Sequence, residues 1–358
     1  MSGLSPVELA RTAVRELEPY SSARSEAAEA GVYLDANESP WPPEMNPDYA
    51  AVVEAMHRYP EPQPHGLIEQ FSDLYGVPGE SIFVGRGTDD AIDALFRVFC
   101  EAQVDRVIVC PPTYGMYEVS AAIQGASVVK VPLIADSGFQ PDIASIAAAA
   151  GERTKLAFLC SPNNPTGNPV DRDAVIELCQ SLSAVVVVDE AYVEFCPQAS
   201  VTDLLGRFDN LVVLRTMSKA WALAGARCGV ALGHPDVIEL LHRVRAPYPL
   251  SRPAVTLVEN ALSPQGRRYC SERIKRLITA REDLARQLVA RGDVEFIYPS
   301  EANFLLVKVH DVNTWLGASR HAGILIRDRS GVVPGCVRIT VGSPEQNAAL
   351  LAAVTEAV

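Results

Sequence analysis

Ala184-Val185-Val186-Val187-Val188-Asp189-Glu190-Ala191-Tyr192 is the stretch on which the fold turns. Its opening apolar run has no polar alternation, which marks a strand covered on both faces, as in a parallel sheet flanked by helices. Asp189 then stands at the strand's carboxyl end, where an unpaired carboxylate is costly unless a cation or a hydrogen-bond donor meets it. Working outward, similar runs rich in Val, Ile, Leu and Phe occupy 81–84, 106–110, 127–131, 155–160, 211–214 and 229–232, with amphipathic helical stretches between them. That alternation predicts an α/β fold whose large domain carries a mainly parallel seven-stranded sheet. One of the helices is expected over 142–150, opened by a capping Asp142 and stopped at Gly151.

Past residue 235 the pattern changes. Residues 235–261 read as helix broken by Pro247, Pro249 and Pro253, since proline cannot continue a helix, and the break is the expected hinge. A long charged helix follows over 265–291, ended by Gly292, and apolar runs at 303–309, 323–326 and 336–341 supply a smaller sheet. The expected division is an N-terminal arm over 1–30, a large domain over 31–246 and a smaller α+β C-terminal domain over 247–358, with a proline-rich loop over 40–64.

Composition narrows the function classes. A chain of 358 residues with 48% hydrophobic content is enough for about two domains with a sizeable core. With 31 basic and 44 acidic residues the net charge is −13, a field that repels a phosphate backbone and argues against nucleic-acid binding. No apolar run approaches the roughly 18 residues needed to span a bilayer, and the first thirty positions are studded with Arg, Glu and Ser, so a cytoplasmic protein without membrane association is expected. The eight cysteines form no Cys-x-x-Cys pair and read as reduced core residues. The six histidines offer no metal spacing, and no metal is expected.

The polar residues of note follow strand ends, where open α/β sheets bind ligands. Gly85-Arg86-Gly87-Thr88-Asp89-Asp90 lacks the third glycine of a dinucleotide fingerprint, yet a glycine turn leading into a helix can hold a single phosphate. Thr216, Ser218 and Arg227 add hydroxyl and guanidinium donors suited to a dianion. Lys219, one of only five lysines, lies between Ser218 and Ala220 just past a strand, and a desolvated lysine there is a potential Schiff-base nucleophile. Taken singly, Asp189 reads as a helix cap, Asn164 as a turn residue, Tyr114 and Tyr192 as packing aromatics. Taken together, a lysine, a buried acid, an aromatic ring and a phosphate cup on one rim are what pyridoxal phosphate needs.

The segments LDANESP (34–40), RYPEPQ (58–63), PPTYGMY (111–117), CSPNNPTG (160–167), DEAYVEFCPQAS (189–200), TMSKAWALAGARCG (216–229), APYPLS (246–251), GILIRD (323–328) and VRITVG (337–342) resemble the fold-type I pyridoxal-phosphate aminotransferases, and among them the branch that uses histidinol phosphate. The resemblance implies that Lys219 carries the cofactor and shuttles the substrate proton, that Asp189 pairs with the ring nitrogen, that Asn164 and Tyr192 hydrogen-bond the ring oxygen, and that Tyr114 stacks on the ring. It implies a phosphate cup made by the backbone at Thr88 and Asp89, by Thr216, Ser218 and Arg227, and by Tyr59 of a second subunit, hence a homodimer. Tyr20, Asn37, Arg327 and Arg338 would face the substrate. The implied reaction is transamination between histidinol phosphate and the glutamate/2-oxoglutarate pair, a step of histidine biosynthesis. Three alternatives stay open: an aromatic amino-acid aminotransferase, a decarboxylase of a phosphorylated amino acid on the same fold, and a non-enzymatic regulator that binds pyridoxal phosphate.

Overall fold

The structure, a computed structural model, describes residues 6–17, 30–45, 47 and 49–355. In chain order its strands are β1 (Val32–Leu34), β2 (Ile82–Gly85), β3 (Arg106–Val109), β4 (Ser127–Lys130), β5 (Thr154–Cys160), β6 (Val185–Asp189), β7 (Leu211–Thr216), β8 (Gly229–Gly233), β9 (Val294–Ile297), β10 (Phe304–Val309), β11 (Ile324–Asp328) and β12 (Cys336–Thr340). They form a seven-stranded sheet in the order β2-β8-β7-β6-β5-β3-β4 and a five-stranded sheet in the order β1-β11-β12-β10-β9. In the larger sheet β4, β3, β5, β6 and β7 run parallel, β8 is antiparallel to β7, and β2 is antiparallel to β8.

The apolar run of β6 is explained by what covers it. Val186 and Val188 point into one core with Leu67, Phe71 and Leu178, while Val185 and Val187 point into another with Ile92, Phe96 and Phe158. Side chains alternate across a strand, so only a strand buried on both faces loses its polar positions. Helices His65–Tyr75 and Arg172–Ser181 contribute to the first core, and Thr88–Phe99 and Pro235–Val244 to the second. Asp142 caps the expected helix, observed as Ile143–Ala149, by accepting from the Ser145 amide at 3.0 Å.

The expected broken helix resolves into Pro235–Val244 and Arg252–Leu262, the second opened by Ser251 with Pro253 in its first turn, where proline's missing N–H costs nothing. The long helix runs Pro264–Val289. Two strands went unread, β1 and β9. The residues of β1, counted above with the large domain, belong instead to the small sheet, where Val32, Tyr33 and Leu34 pair in parallel with Ile324, Leu325 and Ile326. A three-residue strand is too short to show a period, and its place is set by the edge of β11 that it completes. The small sheet packs Leu305, Val307, Val337 and Ile339 against Leu284 and Leu288 of the long helix and Trp315 of helix Val312–His321. All eight cysteines are buried and free. Among the described residues no helix is long and apolar enough to cross a membrane.

Candidate active site

The carboxyl ends of β5, β6 and β7, the N-terminus of helix Thr88–Phe99, the loop after β1 and the β11–β12 edge enclose a cavity of about 410 Å³. Asn37, Thr88, Asp89, Tyr114, Asn164, Asp189, Tyr192, Thr216, Ser218, Lys219, Arg227, Arg327 and Arg338, all singled out in the sequence, line it. Tyr59 does not: it is 77% exposed and stacks on Tyr248 with ring centroids 4.4 Å apart. Tyr20 lies outside the described residues.

Lys219 sits in a tight loop after β7, held by the Met217 amide on the Cys228 carbonyl at 3.0 Å and the Ala222 amide on the Lys219 carbonyl at 3.1 Å. Its Nζ donates to the Ala36 carbonyl at 2.8 Å. Loss of hydration, helped by the charge of Arg338, pulls the amine down to about 8, so a useful fraction is neutral near physiological pH.

Asp189 ends β6 at 2% exposure. Its Oδ2 accepts from the Tyr117 hydroxyl at 2.8 Å and its Oδ1 from the Ala191 amide at 3.1 Å. Burial raises the carboxyl to about 6 in spite of those two bonds. A buried acid so strained towards protonation gains most when a cation is set beside it. The Tyr192 hydroxyl receives Asn37 Nδ2 at 3.0 Å and Asn164 Nδ2 at 3.5 Å, which brings three expected site residues onto one oxygen.

The anion cup is built from backbone and hydroxyls. Gly87, at φ 84°, is the N-cap of helix Thr88–Phe99, and a Cβ on it would lie 2.8 Å from Arg227 Nη2. A Cβ on Gly229 would lie 2.6 Å from Gly87 C and from Thr88 N. Both positions therefore demand glycine if the helix start and the Arg227 guanidinium are to sit this close. Arg227 Nη1 donates to Ser218 Oγ at 3.4 Å, and Thr216 Oγ1 to Ser218 Oγ at 3.1 Å. Asp89 accepts from Tyr114 Oη at 3.1 Å and from Arg227 Nη2 at 3.5 Å.

From the small sheet, Arg338 enters the cavity wall at 4% exposure, its Nη1 on Asn164 Oδ1 at 2.7 Å and its Nη2 on the Asp35 carbonyl. Arg327 is its partner across the ladder. The ion pair of Arg327 with Asp328 that its neighbour suggests is not how Asp328 is used: that carboxylate accepts from Ser330 N at 2.8 Å and Ser330 Oγ at 2.6 Å.

The sequence family described as aminotransferase class I and II matches residues 29–354. The chain belongs to that family. This aminotransferase is 44% identical to histidinol-phosphate aminotransferase of Xylella fastidiosa (strain 9a5c) over 98% of the chain and 96% of the relative. It is 43% identical to the enzyme of that name from Aeromonas hydrophila subsp. hydrophila over 99% and 98%. Among solved structures it is similar to histidinol-phosphate aminotransferase of Sinorhizobium meliloti in complex with pyridoxal-5′-phosphate, with TM-score 0.85, 26% identity and coverage of 99% and 98%. Aspartate aminotransferase of Thermus thermophilus, at 23% identity and TM-score 0.81 over the whole of both chains, shares the fold.

The cofactor of the family, pyridoxal phosphate, fits this aminotransferase. A cup that Gly87 and Gly229 allow to close, with two hydroxyls and a guanidinium, suits its phosphate, a buried acid suits its ring nitrogen, and a low-pKa amine lines the same cavity, whose size fits the group. Sequence reasoning assigned no role to Tyr117, whose hydroxyl fixes Asp189, or to Asp35, Glu38, Cys160 and Arg329, which also line the cavity. Tyr117 lies in the first turn of helix Met116–Gln124, which Tyr114 precedes, and only the fold brings its hydroxyl to Asp189.

Proposed function

We propose that this aminotransferase moves the amino group of L-histidinol phosphate to 2-oxoglutarate, giving imidazole acetol phosphate and L-glutamate, the transamination of histidine biosynthesis. The observation that carries the reading is the pair of arginines, Arg327 and Arg338, set by the small sheet into the wall of the cavity that holds Lys219. Histidinol phosphate presents a phosphomethyl group where an amino acid has its α-carboxylate. Guanidinium groups that accept that dianion also take a carboxylate of glutamate, so one site serves both half-reactions of a ping-pong cycle. The names of the relatives agree with that choice.

When bound, pyridoxal phosphate supplies an electron sink for the carbon that bears the amine. The chain supplies the rest. Lys219 Nζ, poised near neutrality, takes a proton from the substrate's Cα and returns it on the other side of the exchange. The Asp189 carboxylate would keep the ring nitrogen protonated. Asn164 and Tyr192 would orient the ring oxygen, Tyr114 would stack on the ring, and the cup formed by Thr88, Asp89, Thr216, Ser218 and Arg227 would anchor the cofactor phosphate. Asn37, which ties Tyr192 to the loop after β1, faces the substrate side. Closure of the small sheet over the large one would press Arg327 and Arg338 onto the substrate.

The working unit proposed is a cytoplasmic homodimer. Tyr59 stands too far out to line its own cavity, and its exposed ring stack with Tyr248 suits a neighbouring subunit's cup. The deciding experiment mixes the yellow holoenzyme with L-histidinol phosphate, then with 2-oxoglutarate, and follows the cofactor spectrum through each half-reaction. A spectrum that phenylalanine changes and histidinol phosphate leaves untouched would hand the function to the aromatic amino-acid alternative.

A further inference from the structure

The wall of the cavity carries one cation that no motif marked. Arg329 lines it beside Arg327 and Arg338. Period-two geometry puts residues 327 and 329 on one side of the chain and Asp328 on the other, and Asp328 is exposed and engaged with Ser330. The Arg329 backbone is pinned: its amide donates to the Cys336 carbonyl at 3.0 Å, extending the β11–β12 ladder, and its carbonyl accepts from the Val332 amide at 3.0 Å and the Val333 amide at 2.8 Å. The guanidinium is thus mounted on a closed hairpin, which lowers the ordering cost of any contact it makes.

The donor inventory shows what a third arginine adds. Arg338 is held by two protein acceptors, Asn164 Oδ1 and the Asp35 carbonyl, so each of its terminal nitrogens has one hydrogen already directed into the protein. A phosphate monoester offers three terminal oxygens and close to two negative charges near neutrality. A single guanidinium meets two oxygens and one charge, which leaves the rest to other cations in the same wall. Carboxylates line the cavity too, Asp35, Glu38 and Asp89 among them, so a dianion entering without added positive charge would meet a repulsive field.

We infer that Arg329 is a specificity-determining residue: it supplies the charge that distinguishes a phosphate dianion from a carboxylate. The inference rests on histidinol phosphate being the amino donor. In the glutamate half-reaction the same wall faces a single carboxylate, for which Arg338 suffices.

The test uses the holoenzyme and Arg329→Gln, which keeps a polar side chain and removes the charge. Losing one charge-assisted contact is expected to raise the KM for histidinol phosphate by roughly ten- to a hundredfold, with kcat within about threefold. The KM values for glutamate and 2-oxoglutarate should stay within about twofold, which also shows that the variant is folded and loaded. Inorganic phosphate, used as a competitive inhibitor against histidinol phosphate, should lose affinity by a similar factor, and Arg329→Lys should recover most of both losses. Equal losses for glutamate and histidinol phosphate would make Arg329 a general structural contact and overturn the inference. So would an Arg329→Gln enzyme with unchanged phosphate affinity, while leaving the proposed reaction intact. If the unaltered enzyme fails to turn over histidinol phosphate at all, the proposed function fails first and the inference with it.

Discussion

Replacing Asp189 by Asn separates its cost to the fold from its value to the chemistry. Burial lifts this carboxyl from 3.8 to about 6 in the folded protein without cofactor. A folded-state value above the unfolded one contributes stability that is complete below about pH 4 and is lost as the pH rises through about 6. A shift of roughly two units corresponds to about 3 kcal/mol, all of it lost by pH 7.5 and about half of it by pH 5. Asn carries no charge to bury, but its amide keeps an oxygen for the Ala191 N–H only by turning its NH2 towards the Tyr117 hydroxyl, which must change from donor to acceptor, and the exchange of bonds costs about 1 kcal/mol. The cofactor-free Asp189→Asn protein should therefore be more stable than the parent by about 2 kcal/mol at pH 7.5, roughly 3 °C in Tm for a chain of this length, and by less than 1 kcal/mol at pH 5. Thermal melts of the two apoproteins at both pH values, read by circular dichroism, measure this. In the loaded enzyme the sign reverses. An amide cannot hold the ring nitrogen protonated, and loss of a buried charge pair of about 2 to 5 kcal/mol should cut activity by more than tenfold, up to several thousandfold. An apoprotein that melts no higher than the parent at pH 7.5, or a gap that does not narrow at pH 5, would refute the account of Asp189 as a carboxylate held at a cost for its partner.

Lys219→Ala should leave no more than a trace of transamination in the absence of an added amine, measured by glutamate formation. In the apoprotein the Lys219 amine, pulled down to about 8, should react with an amine-directed reagent half-maximally near that pH, well below surface lysines, as peptide mapping at a series of pH values would show. Arg338→Ala should weaken both histidinol phosphate and glutamate, while Arg327→Ala should lower the kcat/KM ratio of histidinol phosphate to phenylalanine by roughly ten- to a hundredfold; an unchanged ratio would move phosphate recognition elsewhere. Light scattering at assay concentration should give a dimer, and a fully active monomer would remove Tyr59 from the cofactor cup.

The large sheet was legible because burial on both faces writes itself into the chain: Val185 to Val188 alternate between two cores, so every position had to be apolar. The ligand loops were legible because strand ends point to one rim. β1 was not, because Val32–Leu34 becomes a strand only through Ile324–Ile326, far away in sequence. The site divides the same way. Motif residues carry recognisable chemistry, so Lys219, Asp189 and Arg338 could be named in advance. Tyr117 and Arg329 act through geometry, one by reaching Asp189 from a helix, the other by its place on a hairpin, and neither leaves a mark in local sequence.

The parallel pairing of β1 with β11 has a consequence for how the protein is made. Synthesis delivers the large sheet's last strand, β8, by residue 233, so that sheet can close while the chain is still growing. The small sheet cannot: β1 must wait for a partner about 290 residues downstream, a closure whose entropy is met only when β10, β11 and β12 are in hand. The segment after β1, in which the Ala36 carbonyl accepts from Lys219 and Asn37 Nδ2 donates to the Tyr192 hydroxyl, also waits for the Asn303 and Thr340 side chains that bond the Asn37 backbone. Capture of the cofactor by a finished pocket becomes a late event, and a ribosome that stalls before residue 324 releases a chain with a closed sheet and an unwalled site.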